Sequence, residues 1–315
     1  MKDGFGREVN YLRMSVTENC NQRCVYCMPE GAIPRDWDCL SDDELVEIAR
    51  AAAELGINKI RITGGEPLVR RGIVELCERI GSVPGIRDLS MTTNGARLPD
   101  MARELKEAGV SRVNISLDTL DPDKFKKITR GGNIRDTLLG IDAAFECGMT
   151  PIKLNTVLIG GFNDDEIYKL VELTRSCPVE LRFIELMPIG SAHTFSPQAY
   201  IPNSAVLDKV PELKPLDEES GVARLYKLPD GKGRVGLISP LSHEFCDSCS
   251  RLRLTPDGCL KPCLHSPEEI RLKGLHGAEL TWALKLAIAH KPRQHGALSA
   301  TERSASLRDM NRIGG

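Results

Sequence analysis

Tyr11-Leu-Arg-Met-Ser-Val-Thr17-Glu-Asn-Cys20-Asn-Gln-Arg-Cys24-Val-Tyr-Cys27 is the stretch on which the reading turns. Its first half alternates, with Leu12, Met14 and Val16 set against Arg13, Ser15 and Thr17, as a strand with two unlike faces does. Its second half places Cys20, Cys24 and Cys27 at the spacing C-x3-C-x2-C directly beyond that strand. Three clustered thiolates suit three irons of a cubane and leave the fourth iron without a protein ligand. A structural zinc site instead wants a fourth Cys or His close by, and the nearest, Cys39, stands in a different local context. Zinc and a plain electron carrier are the competing readings of the triad.

Working outward, β-type runs recur at 11–16, 59–63, 88–93, 112–117, 151–158 and 180–185, with amphipathic stretches between them. Ser41 and Glu44 give a capping-box signal at the head of a helix over 41–55. Asn163 and Glu166 give the same signal before a helix ending near Ser176. Strands separated by helices predict a parallel α/β array. The alternation stops after the sixth strand, so the expected fold is a partial (β/α)6 TIM-type barrel rather than a complete eight-stranded one.

The strand faces sharpen this expectation. Lys59, Arg61 and Thr63 share one face while Ile60 and Ile62 share the other. Ser90, Thr92 and Asn94 line up likewise, as do Asn114, Ser116 and Asp118, and Lys153 and Asn155 oppose Ile152 and Leu154. Parallel sheets covered on both faces read as nearly continuous apolar runs. A polar face in five strands therefore predicts a lumen that holds a polar ligand; a sheet with one solvated face is the alternative.

Composition narrows the class. The 315 residues carry 42 Lys+Arg against 44 Asp+Glu, a formal charge of −2. General nucleic-acid binding is not expected from such a balance, and any basic pocket must be local. No apolar run approaches the ~18 residues of a membrane span, and the first residues lack the apolar core of a secretory signal. The expectation is a cytoplasmic enzyme with no membrane and no nucleic-acid partner. Eleven cysteines are many for such a chain; a disulfide scaffold suits small exported domains, whereas clustered cysteines in a reducing compartment point to metal.

After Met187 the character changes. Residues 188–240 carry many Pro, Gly and Ser, residues 241–265 hold a second cysteine group, and 292–307 is a polar stretch expected to be poorly ordered by itself. The expected division is a barrel over 1–187 and a C-terminal lobe over 188–315 that holds the second cysteine group and ends in Gly314-Gly315. Cys246, Cys249, Cys259 and Cys263 are spaced C-x2-C-x9-C-x3-C. By itself this admits a closed four-cysteine site, zinc or cubane, or three ligands (Cys246, Cys249, Cys263) around a cluster with an open iron.

The triad, with Tyr26 before its last cysteine, resembles the radical S-adenosylmethionine superfamily, and Gly64-Gly65-Glu66-Pro67 after the second strand resembles its methionine-binding loop. Phe245-Cys-Asp-Ser-Cys249-Ser-Arg-Leu-Arg253-Leu-Thr-Pro-Asp-Gly258, running on to Cys263-Leu264, resembles the GTP 3′,8-cyclase family, which opens molybdenum-cofactor (molybdopterin) biosynthesis. Arg61-Ile-Thr-Gly-Gly-Glu-Pro67, Thr92-Thr-Asn-Gly95, Asn114-Ile-Ser-Leu-Asp118, Arg182-Phe-Ile-Glu-Leu-Met187 and the final Ile313-Gly314-Gly315 extend the likeness over nearly the whole chain, most weakly at 195–230 and 285–305.

The resemblance implies two [4Fe–4S] clusters, one on Cys20, Cys24 and Cys27 and one on Cys246, Cys249 and Cys263, the latter in a C-terminal iron–sulfur lobe that closes the barrel mouth. It implies S-adenosylmethionine contacts from Tyr26, Gly65, Glu66, Ser116 and Met187. It implies GTP contacts from Arg13, Arg61, Thr92, Lys153 and Arg251-Leu252-Arg253, with Arg251, Arg253, Gly314 and Gly315 in the catalytic set. Arginine forks suit triphosphate oxygens. Cys259 departs from the family pattern. The implied partners are an external electron donor and the next enzyme of the route, cyclic pyranopterin monophosphate synthase, and a homodimer is compatible with the likeness. The alternatives are a peptide-modifying two-cluster radical enzyme and a noncatalytic zinc module.

Overall fold

A computed structural model describes residues 1–33 and 38–314. Six strands alternate with helices: β1 (Tyr11–Ser15), α1 (Asp42–Glu54), β2 (Lys59–Thr63), α2 (Ile73–Gly81), β3 (Asp88–Thr93), α3 (Leu98–Glu107), β4 (Arg112–Ser116), α4 (Pro122–Ile128), α5 (Ile134–Glu146), β5 (Lys153–Leu158), α6 (Ile167–Ser176) and β6 (Glu180–Glu185). Neighbours from β1 to β6 pair in parallel and in sequence order, which is the partial barrel that the alternation predicts. The outward faces pack against the helices: Leu12, Met14, Ile60, Ile62, Met91, Val113, Ile115, Leu181 and Phe183 are fully buried. Burying one such side chain is worth about 1.5–3 kcal/mol, so this layer holds the sheet while the inward face is free to be polar. The capping box at the head of α1 forms as expected, with the Ser41 hydroxyl accepting from Glu44 N and the Glu44 carboxylate accepting from Ser41 N.

Beyond β6 the chain adds α7 (Ser204–Lys209), β7 (Lys214–Ser220), β8 (Ala223–Lys227), β9 (Arg234–Ile238), β10 (Arg251–Leu254), β11 (Cys259–Lys261), β12 (Ile270–Arg271) and α8 (Gly277–Ala289). These strands extend both edges of one twelve-stranded sheet, in the order β12-β11-β10-β1-β2-β3-β4-β5-β6-β9-β8-β7. β9 joins β6 and β10 joins β1, both in parallel, so the C-terminal residues reach the barrel from its two sides. Among the described residues no helix is long and apolar enough to cross a membrane.

The expectation that Asn163 and Glu166 form a capping box is corrected by the structure. The Asn163 amide accepts from Ile159 N and donates to the carbonyls of Asp118 and Val157, and the Glu166 carboxylate takes Thr119 Oγ1 and Leu120 N. Both side chains are drawn into tying together the loops after β4 and β5, where buried backbone groups need partners.

Candidate active site

The inward strand faces line a cavity of about 510 Å³. Parallel register sets Arg13 of β1 beside Arg61 of β2 on one side and Arg253 of β10 on the other. All three are largely buried, as are Arg182 of β6 and Lys153 of β5, and all five line the cavity. Like charges on neighbouring strands repel one another in a cavity of low dielectric, so a bound anion is favoured beside this row.

The electrostatics agree. Burial, then the neighbouring guanidiniums, lowers Arg13 far below the ordinary arginine value and lowers Arg253 to about 10. Lys153, held at 3.4 Å by Glu180, is lowered to about 8, first by burial and then by Arg182. Burial pushes the Tyr11 phenol up, but Arg61, Arg13, Arg251 and Arg253 together more than offset it, so the net shift is down. Thr92 Oγ1, Asn114 Oδ1 and Asn155 Oδ1 are buried without hydrogen-bond partners on cavity-lining residues. Such atoms ask for a polar ligand.

Cys20, Cys24 and Cys27 line the same cavity, beyond the end of β1. Burial, and for Cys27 the charge of Cys20, pushes the Cys20 thiol up to about 11 and Cys27 to about 12, and burial followed by Cys27 and Asp118 raises Cys24 as well. Ionising three crowded thiols is costly unless a metal neutralises them, so this donor set fits an iron–sulfur cluster. Tyr26 donates its hydroxyl to Asp118 at 2.7 Å, and Asp118 is raised to about 6 by burial.

Gly65, Ser116 and Met187 line the cavity with Tyr26. A Cβ at Gly65 would lie 2.3 Å from the Asn19 carbonyl oxygen, so only glycine lets this loop pack on the cysteine loop. Glu66 is buried and accepts from Leu68 N, Asn94 N and Thr93 Oγ1, tying the Gly64-Gly65 loop to the end of β3. Burial raises it to about 7. It braces the loop rather than lining the cavity.

Cys249, Cys263, Arg251 and Arg253 bring the C-terminal segment into the cavity wall. Cys246 stands beside Glu244 and His295, their ligand atoms all within 4.8 Å of one another. Leu252 lies in the hydrophobic core on the other face of β10, so its backbone alone is available to a ligand. Cys259 is buried in β11, its amide held by Thr255 Oγ1 at 2.9 Å, and does not line the cavity. Gly314 comes back to the barrel from the C-terminus and its carbonyl accepts from Arg253 Nη1. Gly315 lies outside the described residues.

Sequence reasoning passed over Arg182, Arg112, Tyr11, His265 and Lys291, all cavity-lining. Arg182 was detectable, since it stands two residues from Glu180 and from Ile184 on the inward face of β6. His265 and Lys291 were not, because they lie outside any alternating strand and reach the cavity only through tertiary packing.

Residues 14–174 match the Radical SAM superfamily, and residues 179–297 match the Molybdenum Cofactor Synthesis C family. The chain is 48% identical to the GTP 3′,8-cyclase of Alkaliphilus oremlandii (strain OhILAs), with 100% of both chains covered. The chain belongs to the GTP 3′,8-cyclase family. It is also 51% identical to the GTP 3′,8-cyclase of Peptoclostridium acidaminophilum over 99% of this chain and 98% of that one. Family membership displaces the noncatalytic zinc module as a reading. Among solved structures, Streptococcus suis SuiB bound to S-adenosylmethionine matches at TM-score 0.64 and 14% identity, over 97% of this chain and 77% of that one. The [FeFe]-hydrogenase maturase HydG matches at TM-score 0.51 and 16% identity, over 64% of this chain and 48% of that one. At these identities the two structures share a fold with GTP 3′,8-cyclases and nothing more specific.

Proposed function

We propose that the cavity binds S-adenosylmethionine and GTP together and converts GTP to 3′,8-cyclo-7,8-dihydro-GTP, the first step of molybdopterin biosynthesis. The observation that carries this is the buried row Arg253–Arg13–Arg61 facing the cavity that also receives Cys20, Cys24 and Cys27. A cluster held by those cysteines would supply the electron for reductive cleavage of S-adenosylmethionine, the chemistry by which the 3′ hydrogen of GTP would be removed and a bond from C3′ to guanine C8 formed.

The protein's part is positioning and exclusion of water. Arg13, Arg61, Lys153 and Arg253 hold the triphosphate with charge-assisted bonds, and Thr92 offers its buried hydroxyl. Tyr26, Gly65, Ser116 and Met187 frame the cosubstrate, while Glu66 acts through its loop. Arg251 and the Leu252 backbone complete the nucleotide wall. Cys246, Cys249 and Cys263 would hold a second cluster with an open iron for the guanine. Gly314 brings the tail to Arg253, and Gly315 belongs to the proposed catalytic set.

The resemblance supports an external electron donor, a cytoplasmic setting, a homodimer, and handover to cyclic pyranopterin monophosphate synthase. The test is anaerobic incubation of the iron-reconstituted protein with GTP, S-adenosylmethionine and dithionite. Formation of 5′-deoxyadenosine with cyclised GTP is expected. Absence of both overturns the reading, and 5′-deoxyadenosine formed only with a peptide would point to the peptide-modifying alternative.

A further inference from the structure

Lys291 follows α8 and is almost fully buried, 3% exposed. Its ammonium has three donors, and the structure uses all of them. Nζ reaches the Arg251 carbonyl at 2.9 Å, the Pro262 carbonyl at 2.9 Å and the Cys249 sulfur at 3.4 Å. Burying an ammonium is costly unless it meets negative charge. Among the described residues no carboxylate forms an ion pair with it, so the charge it can meet is the thiolate of Cys249.

The segment carrying Lys291 is itself clamped. Arg7 donates through Nη1 to the carbonyls of Cys246 and Arg293, both at 2.8 Å, and through Nη2 to the Pro292 carbonyl at 2.6 Å. Asp3 fixes the same guanidinium through Nε at 2.6 Å. One N-terminal arginine thus joins the strap that bears Lys291 to the loop that bears Cys246, and Lys291 joins that strap to Cys249 and to the residue before Cys263. All three cysteines of the second group are referenced to one buried cation and its clamp.

We propose that Lys291 is a positioning residue for the second cluster, its ammonium donating to the Cys249 sulfur and raising the potential at which that cluster is reduced. The inference rests on the reading that Cys246, Cys249 and Cys263 hold a cluster. Reduction adds negative charge to cluster and ligands, and hydrogen bonds to the sulfurs are among the levers that set such potentials. A fixed positive charge on a ligand sulfur favours the reduced form.

The experiment is a redox titration of the anaerobically reconstituted full-length protein followed by electron paramagnetic resonance. Addition of S-adenosylmethionine marks the signal of the first cluster. In Lys291→Met the second-cluster potential should move lower while the first stays in place, and Lys291→Arg should recover most of the shift. Lys285→Met, an exposed change on α8, should move neither. Full iron content with both potentials unchanged in Lys291→Met overturns the proposal. If Lys291→Met loses the second cluster outright, its retention in Lys291→Arg supports a requirement for the charge, and equal loss in both overturns it. A wild-type protein without a second cluster signal sinks the underlying reading instead.

Discussion

The guanidinium of Arg253 donates a hydrogen bond to the backbone carbonyl of Gly314, 61 residues further along the chain. The contact puts the C-terminus beside the arginine row. It is made possible by Gly314 itself, whose φ of +90° and close approach to Thr63 and Ser15 exclude a side chain; a Cβ there would lie 2.8 Å from Thr63 Cγ2. Upstream, Arg312 pairs with Glu18 at 3.1 Å, and the Asp309 carboxylate takes Ser191 N at 2.9 Å, so the tail is tied at several points before it arrives.

Gly314→Ala, or deletion of Gly314 and Gly315, should reduce cyclised GTP at least tenfold while iron content is kept. The strain of a non-glycine residue at such a φ is on the order of 1–3 kcal/mol, enough to displace the last residues without unfolding the barrel. Product analysis by chromatography checks it, and a variant with full cyclisation would refute a role for the tail.

Lys153 sets a pH dependence. Its folded value of about 8 lies below the ordinary 10.5, so between those pH values the unfolded chain binds more protons and stability of the ligand-free protein rises with pH. If Lys153 holds phosphate as proposed, affinity for GTP runs the other way, because its ammonium is lost above about pH 8. Calorimetric titration should show GTP binding weakening as pH rises through that value, and Lys153→Met should bind less tightly and without that limb.

The arginine row should be costly to break for binding and cheap for folding. On the proposed assignment, replacing Arg61 by Gln removes a charge-assisted bond to the nucleotide worth about 1.5–3 kcal/mol, a drop of roughly 10- to 150-fold in affinity. It also relieves repulsion from Arg13, so thermal stability without ligand should be unchanged or higher. A large loss of stability with affinity retained would contradict the assignment.

Arg308 forks onto two carboxylates, Asp257 with both contacts at 2.9 Å and Glu269 at 2.6 and 2.7 Å. Both acids are held below their ordinary values of 3.8 and 4.5; burial opposes this, and hydrogen bonds and the Arg308 charge prevail. Their contribution to stability is therefore present above those values and lost as pH falls through the lowered folded ones. Arg308→Ala should cost about 2 kcal/mol near neutrality, discounted for partial exposure. The difference from wild type should shrink below pH 4, and protease should reach the tail sooner. Urea unfolding at two pH values and timed proteolysis measure both.

Cys259→Ser should leave the iron content and the cyclisation rate at wild-type levels, because Cys259 sits in β11 away from the cavity wall. Cys263→Ser should lose the second cluster. Iron and sulfide analysis distinguishes the two, and a loss of iron in Cys259→Ser would make it a ligand after all.

Much of the site was legible because two local patterns coincide. Alternation along 11–17, 59–63 and 153–155 separates an apolar face from a polar one without reference to any neighbour, and three cysteines adjacent in sequence need no tertiary contact to be recognised as one ligand set. Asn163 and Glu166 misled for the converse reason. The same residue types that cap a helix also satisfy buried loop amides, and which demand prevails depends on what packs nearby.

By itself, then, the amino-acid order determined the six strands and the helices between them, the inward set of polar side chains and the N-terminal thiol triad, since each follows from spacing within a few residues. Only the tertiary structure decided that Arg253 stands beside Arg13, that Lys291 meets Cys249, that Cys259 turns away and that Gly314 returns to the barrel. Those are relations between segments far apart in the chain: β10 pairs with the β1 edge of the sheet, and the stretch after α8 carries Lys291 and Gly314 back to it. No local pattern records which edge a late strand will join.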